Sequence, residues 1–368
     1  MTAHPFRSAP ASEESAGRDV PGDTGLDTGL DTGLDTVTGA FSYSGRSIAS
    51  ALLAGGRRVR TLTGHPERAP EGSLVEAHPL DFDDPAELCR SLEGTTTLYN
   101  TYWVRFARER TDHERAVLNS RMLFQAARRA GVQRIVHVSI TNPSIDSPYS
   151  YFRGKAFVER ALAETDVPYA ILRPAILFGG NGVLLNNIAW LLRHLPVFAV
   201  GGRGDYRVRG IHVDDLARLC VEKGSERQDC VIDAVGPESP TFLDLVTSIR
   251  NAIDSHAHIV RVPPVVVPPM ARLLGWALHD VLLTADEFRA MAAGLATTSG
   301  VATGATALSD WLADNASDLG RVYANDVDRH FSLRNRRDSS VAGPGRTTRA
   351  TGAGSTFGAG SSSGAGST

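Results

Sequence analysis

From residue 34 to residue 174 the chain alternates short β-branched or apolar runs with longer stretches whose apolar residues recur three and four positions apart. This alternation is the strongest constraint on its fold. Asp35–Thr38, Arg58–Leu62, Leu74–Leu80, Thr97–Thr101, Arg134–Ser139 and Tyr169–Arg173 read as strands, and Gly45–Ala54, Pro85–Leu92, Glu109–Ala130 and Ser150–Glu164 read as helices. Strands joined by covering helices pair in parallel, so the expected class is α/β, a doubly wound parallel sheet with helices on both faces. Asp35 falls in what should be a buried central strand, where an unpaired carboxylate is costly. The first strand is therefore expected to be short, starting at Thr36 or leaving Asp35 at the open lower end of the sheet. After Pro174 the rhythm loosens, which predicts a core over 34–174 and a smaller lobe over 175–336 with elements returning to the core.

The ends have a different composition. Residues 1–33 carry DTGL repeats behind a Ser/Glu/Pro-rich stretch, too short and polar a unit to bury a face, and residues 337–368 are Gly/Ser/Ala/Thr-rich. Both read as disordered tails, so function is expected between 34 and 336. Of 368 residues, 42% are apolar and 21% charged, and the formal net charge is −3, with no overall bias toward nucleic acid or anionic lipid. Cys89, Cys220 and Cys230 lie far apart with no C-x-x-C, which argues against a disulfide framework or a zinc site and fits a reducing cytoplasm. The N-terminus lacks a basic start followed by an apolar run, so no secretory signal is expected. The longest apolar stretch, Ile259–Leu283, is interrupted by Pro263, Pro264, Pro268, Pro269, Arg261, Arg272 and Asp280, and does not read as a membrane span.

The first strand runs directly into Gly39-Ala40-Phe41-Ser42-Tyr43-Ser44-Gly45, followed by a helix. A turn of this kind points the first helical N–H groups outward, with the positive end of the helix dipole behind them, and so suits a pyrophosphate. Gly39 would permit the tight turn and Gly45 close helix–strand packing, while Ser42 stands where the middle glycine of G-x-x-G-x-x-G would be. Two glycines six apart also occur in ordinary strand–helix turns. After the second strand, Thr63-Gly64-His65-Pro66-Glu67-Arg68 has no acid at its tip and has Arg60, His65 and Arg68 close by, which favours a 2′-phosphate and hence NADP over NAD. The alternative is a solvated basic loop. Asp81 and Phe82, after the third strand, could reach an adenine, or Asp81 could simply precede a helix.

Of the 38 basic residues only Lys155 and Lys223 are lysines. The bland explanation is a mutational bias toward Arg codons; the functional one is that a retained lysine supplies a compact rotatable ammonium that guanidinium cannot mimic. Lys155 stands four residues after Tyr151 at the start of a helix, so both side chains share one face. There the ammonium can lower the phenol pKa and let it exchange a proton near neutrality. Structural pairing on an exposed helix is the alternative.

With these motifs in order, the run VTGAFSYSGR, the YFRGK pair, Arg173-Pro174-Ala175-Ile176-Leu177-Phe178-Gly179 and His212-Val213-Asp214-Asp215-Leu216-Ala217 resemble the extended and atypical short-chain dehydrogenase/reductase superfamily. The likeness covers about 34–335 and is nearest the epimerase/dehydratase and NmrA-like branches, with relatives of the 39-kDa complex I subunit. The resemblance implies a Rossmann-type sheet, Tyr151 as general acid/base and Lys155 on the nicotinamide ribose. It further implies a carbonyl-polarising hydroxyl at Thr141, with Ser139 second. Pro174 would lie by the nicotinamide, and Asn100, Tyr102 and Trp103 would border that half of the cleft, though a core role for both aromatics is equally open. Asn119 would support the catalytic groups through water, His212 and Asp214-Asp215 would brace the small lobe, and Asn186 would face substrate or solvent. Two functions follow. One is an NAD(P)-dependent oxidoreductase or epimerase acting on a small carbonyl/hydroxyl substrate. The other is a non-catalytic dinucleotide-binding regulator or assembly protein. No metal is implied, and a homodimer through helix pairs is compatible with the superfamily.

Overall fold

The computed structural model describes residues 33–106 and 112–326. The tails expected over 1–33 (except Gly33) and 337–368, and the start of the helix expected over Glu109–Ala130, lie outside the described residues.

The chain divides into two compact units. The first comprises the chain through Gly182, Tyr206–Thr241 and Ala290–Asp314, and the second comprises Val183–Asp205, Phe242–Arg289 and the chain from Asn315. In chain order the first stretch contains β1 (Leu34–Thr38), α1 (Tyr43–Ala54), β2 (Arg58–Thr63), β3 (Val75–Pro79), α2 (Pro85–Arg90), β4 (Thr95–Asn100), α3 (His113–Arg129), β5 (Arg134–Val138), α4 (Ser150–Ala163), β6 (Tyr169–Pro174) and β7 (Ile176–Phe178). Next come α5 (Val183–His194) and β8 (Val197–Gly201) of the second unit, then β9 (Gly210–His212), α6 (Val213–Ser225) and β10 (Cys230–Ala234) of the first. The chain continues through α7 (Phe242–Ala252), β11 (His258–Val262), α8 (Val267–Leu278), α9 (Ala285–Ala292) and α10 (Leu308–Asn315).

Seven strands form one all-parallel sheet in the order β10-β6-β5-β4-β1-β2-β3, the doubly wound Rossmann-type arrangement expected from the alternating runs. Successive strand residues point to opposite faces and enter opposite cores. Tyr99, Val136 and Leu172 pack with Ile48 and Leu52 of α1 and Leu216 and Cys220 of α6. Their neighbours Leu98, Ile135 and Ile171 pack with Leu123 and Phe124 of α3 and Val158 and Leu162 of α4. Because both faces are covered, β4, β5 and β6 each carry two adjacent apolar residues, one for either core.

The first strand departs from expectation. It begins at Leu34, and Asp35 lies within it at 1% exposure, paired in register with Val59 of β2. The partner of this carboxylate is Arg57, in the turn before β2, whose Nε and Nη2 donate to Asp35 Oδ2 and Oδ1 at 2.7 and 3.0 Å. A two-pronged guanidinium partner makes a buried carboxylate tolerable. Burial still dominates, raising the Asp35 pKa above the usual carboxylate value against the opposing pull of Arg57.

The second unit is built around the parallel pair β8–β11. Its α5 holds the chain that follows Asn315: Arg193 donates to the carbonyls of Ala316 and Leu319 at 2.9 Å each. Asn187 exchanges hydrogen bonds with the backbone of Ala324 at 2.9 and 3.0 Å.

Candidate active site

Parallel strands in an open sheet carry their ligands beyond the carboxyl ends, where helix N-termini collect. The turn from β1 to α1 lies at that edge. Gly39 adopts φ +68°, a left-handed conformation that disfavours a side chain. A Cβ on Gly45 would lie 2.2 Å from the Gly39 carbonyl oxygen, so this position needs glycine for close approach. Ser42 is the N-cap of α1, but its hydroxyl donates to the Gly39 carbonyl at 2.6 Å rather than capping the helix. The first turn contains no acidic residue. The positive end of α1 is thus left without an internal anion, an arrangement that fits a pyrophosphate. Tyr43 donates through its hydroxyl to the Gly179 carbonyl at 2.8 Å, tying the turn to the end of β7.

The neighbouring strand ends are cross-linked by polar side chains. Thr38 Oγ1 donates to Asn100 Oδ1 at 3.2 Å and accepts from the Thr101 backbone N–H at 2.7 Å. Asn100, fully buried, has its Nδ2 3.0 Å from His137 Nδ1 on β5. Burial, reinforced by the nearby Lys155 charge, holds the His137 pKa well below its ordinary value, so the imidazole is neutral. Asn119 Nδ2 donates to the Tyr102 hydroxyl at 2.8 Å. Asn119 Oδ1, His137 Nε2 and Trp103 Nε1 are buried without hydrogen-bond partners, and three orphaned polar atoms around the ends of β4 and β5 mark a place where a ligand or water belongs.

α4 brings Tyr151 and Lys155 to this edge. The Lys155 ammonium donates to the carbonyl of Val138, the last residue of β5, at 2.8 Å and lies 4.7 Å from the Trp103 ring centre. Trp103 stacks on His113 with centroids 5.8 Å apart, and the Tyr151 ring meets both edge-on at 5.7 and 5.5 Å. The indole can approach α4 because residue 154 is glycine: a Cβ there would lie 2.8 Å from Trp103 Cη2. Burial pulls the Lys155 pKa down from 10.5 to about 7, only partly opposed by Glu159 one turn further along α4. Lys223, the other lysine, pairs at the surface with Glu222 and Glu226.

The depressed amine has a consequence for stability. Between about pH 7 and its unperturbed value the folded protein holds fewer protons than the unfolded chain, so stability from this group rises with pH through that window, and the penalty of burying the charge is largest below it. Lys155→Met is therefore expected to raise the Tm of the ligand-free protein more at pH 6 than at pH 10. Equal shifts at both pH values in thermal unfolding would show that the amine is not desolvated.

The remaining expected residues divide by their partners. Ser139 donates to Glu159 Oε1 at 2.5 Å, and Glu159 is also held by Arg173 at 3.0 and 2.5 Å, a buried cluster linking α4 to the ends of β5 and β6. Thr141 donates to the Leu295 carbonyl at 3.0 Å, and its backbone N–H to the Pro174 carbonyl at 3.0 Å. Phe82 packs against Tyr102 with centroids 5.0 Å apart, whereas Asp81 accepts from the Asp83 backbone in a local turn. In the loop after β2, Thr63 accepts from the His65 backbone at 3.2 Å, and Glu67 lies 3.1 Å from His65 and 3.4 Å from Arg68. Arg60 turns away to the carbonyls of Ser91 and Glu93. His212 caps α6, while Asp215 accepts from the Thr306 backbone at 2.7 Å. Asn186 belongs to the second unit and bonds the backbone of Gly320 and Val322. His137 and Glu159 are site residues that no sequence motif marks. His137 looks like a buried strand position, but the spacing of four from Lys155 could have flagged Glu159.

Residues 39–187 match an NAD(P)H-binding family model. Sterol demethylase protein B of Methylococcus capsulatus is 38% identical over 108 residues, 28% of this chain and 33% of that protein. NADH dehydrogenase [ubiquinone] 1 alpha subcomplex subunit 9, mitochondrial, of Arabidopsis thaliana is 24% identical over 251 residues, 64% of this chain and 61% of that protein. The chain thus spans between a third and three-fifths of the length of these curated relatives. Among solved structures, the triphenylmethane reductase of Citrobacter sp. complexed with NADP(H) superposes with TM-score 0.61 at 19% identity, covering 77% of this chain and 99% of that one, a likeness of fold. The sheet order, the glycine turn and the matched region define a Rossmann-type NAD(P)-binding protein. Over this region the chain is similar to NAD(P)H-binding domains of the short-chain dehydrogenase/reductase kind, and its relatives include the complex I subunit.

Proposed function

We propose that this protein is an NAD(P)-dependent oxidoreductase or epimerase acting on a small carbonyl/hydroxyl substrate, with Tyr151 moving the hydroxyl proton. The observation that carries the reading is the position of Lys155: a buried ammonium at the carboxyl end of β5, on the same helix face as Tyr151. The nicotinamide cofactor, when bound, supplies hydride exchange at its C4. The turn Gly39, Phe41, Ser42, Tyr43, Ser44 and Gly45 would hold its pyrophosphate, and Thr63, His65 and Arg68, with Asp81 and Phe82, its adenosine half. Asn100 and Pro174 would border the nicotinamide. Thr141 or Ser139 would have to release its present acceptor to polarise a substrate carbonyl. Lys155 would bind ribose hydroxyls and, when protonated, favour the phenolate of Tyr151.

The 2′-phosphate preference rests on His65 and Arg68. Glu67 now lies between them, so a phosphate there would displace a carboxylate. Titration of the full chain is expected to show tighter binding of NADPH than NADH, and a panel of carbonyl compounds to reveal substrate-dependent NADPH oxidation. Tighter binding of NADH would overturn the 2′-phosphate assignment.

One observation favours a second reading, a dinucleotide-binding regulator or assembly protein. Both candidate hydroxyls are engaged inside the protein, Ser139 by Glu159 and Thr141 by the Leu295 carbonyl. Tight cofactor binding with no turnover across the panel would decide for it.

A further inference from the structure

A helix on the surface of a globular protein normally turns its apolar stripe inward and its polar residues outward. α8 does not. Its inner side is fixed by Val267 and Gly275, where a Cβ on Gly275 would lie 2.5 Å from the Asp280 carbonyl oxygen. Yet Val266, Pro269, Leu273 and Trp276, spaced by three, four and three residues, all face solvent, with Leu273 67% and Trp276 78% exposed. Val265, in the turn before the helix, is 78% exposed. Large apolar side chains gathered on one element mark an interaction surface.

The charges around the stripe indicate what covers it. Asp280 is the sole acidic residue between Ser255 and Ala285. It is buried and accepts from the Tyr323 hydroxyl at 2.6 Å and the Val281 backbone at 2.8 Å. Arg261 and Arg272 are exposed. α8 itself therefore presents aliphatic side chains, a tryptophan and one cation, Arg272, with no carboxylate on the helix, the composition of an element lying in the interface of an anionic lipid layer. Twelve residues of helix extend about 18 Å, well short of the roughly 30 Å of a hydrocarbon core, and among the described residues no helix is long and apolar enough to cross a membrane.

We propose that the outward stripe of α8, with Val265 and Arg272, docks this protein onto an anionic lipid surface, with the helix lying in the plane of the headgroups. Apolar side chains supply the depth of insertion, and Arg272 selects the charge. The proposal is independent of the catalytic role given to Tyr151.

Flotation of the full chain with vesicles tests it. Co-flotation is expected with phosphatidylglycerol/phosphatidylcholine vesicles and not with phosphatidylcholine alone. Partitioning should fall about ten-fold or more in Leu273→Ser/Trp276→Ser and weaken steeply in raised salt. Arg272→Glu leaves the apolar stripe intact and is expected to cut binding to the anionic vesicles alone. It keeps the test usable should the double variant lose stability, which the Tm and NADPH titration report. Absence of co-flotation at low salt, or binding undiminished in both variants, would overturn the proposal. So would a dimer in sedimentation that the double variant dissociates while the parent ignores lipid, because the stripe would then be covered by a second copy of the chain.

Discussion

Tyr151→Phe is expected to lower carbonyl-dependent turnover by about 10²–10⁴-fold, the usual worth of a positioned acid/base, while leaving NADPH affinity within about two-fold. The substitution removes one oxygen and keeps the ring, so the edge-on packing of residue 151 against Trp103 and His113 should survive. Lys155 remains on the Val138 carbonyl, and the glycine turn is untouched. A fall in kcat with KM and cofactor affinity preserved would identify the phenol as the proton-transfer group. Turnover that survives in Tyr151→Phe would refute this mechanism, and parallel loss of turnover and cofactor binding would move Tyr151 from chemistry to structure. Measuring NADPH affinity by titration alongside kcat separates the two outcomes.

Arg57→Ala is expected to destabilise the protein by about 3–5 kcal/mol, because it strands a carboxylate inside an interior strand of the sheet. The pair is two-pronged, at 2.7 and 3.0 Å, and Asp35 is essentially inaccessible to water. Asp35 already titrates above the ordinary carboxylate range with Arg57 present, so without the guanidinium it should bind a proton in the folded state. The loss in Arg57→Ala should consequently grow as pH rises and shrink in acid. Asp35→Asn/Arg57→Ala removes the charge as well and should recover much of the stability. Urea unfolding at two pH values reads all three variants, and a loss below about 1 kcal/mol at neutral pH would show that the pair is not what holds Asp35 in the sheet.

The fold is largely legible in the residues because a doubly wound sheet imposes two periods at once. Leu98–Tyr99, Ile135–Val136 and Ile171–Leu172 must each supply an apolar side chain to both faces, and they alternate with helices whose apolar stripes recur every three to four residues. The pairing of Asp35 with Arg57 is less legible, because a partner 22 residues away becomes visible only once β1 and β2 are in register. Within the candidate site, the glycine turn and the Tyr151/Lys155 spacing are local patterns and can be read from the chain. The environment of Lys155 is not local. The Val138 carbonyl beneath it, the Trp103 face beside it and the Ser139–Glu159–Arg173 cluster converge from three strand ends and a helix. Ser42 illustrates the same limit: its place in the turn is plain, whereas the choice of the Gly39 carbonyl as acceptor depends on the backbone conformation.

The sheet's outermost strand on one side, β10, reaches β6 only after the chain has supplied α5 and β8 to the other unit. During synthesis, β6 emerges more than fifty residues before its outer neighbour and waits with a row of unpaired backbone groups on one edge. A ribosome stalled before residue 230, or a fragment cut there, would leave that edge open to strand addition from another nascent chain. Truncations near Gly182 should therefore clump rather than yield a soluble dinucleotide-binding half, and a working minimal protein must carry the segment through Ala234.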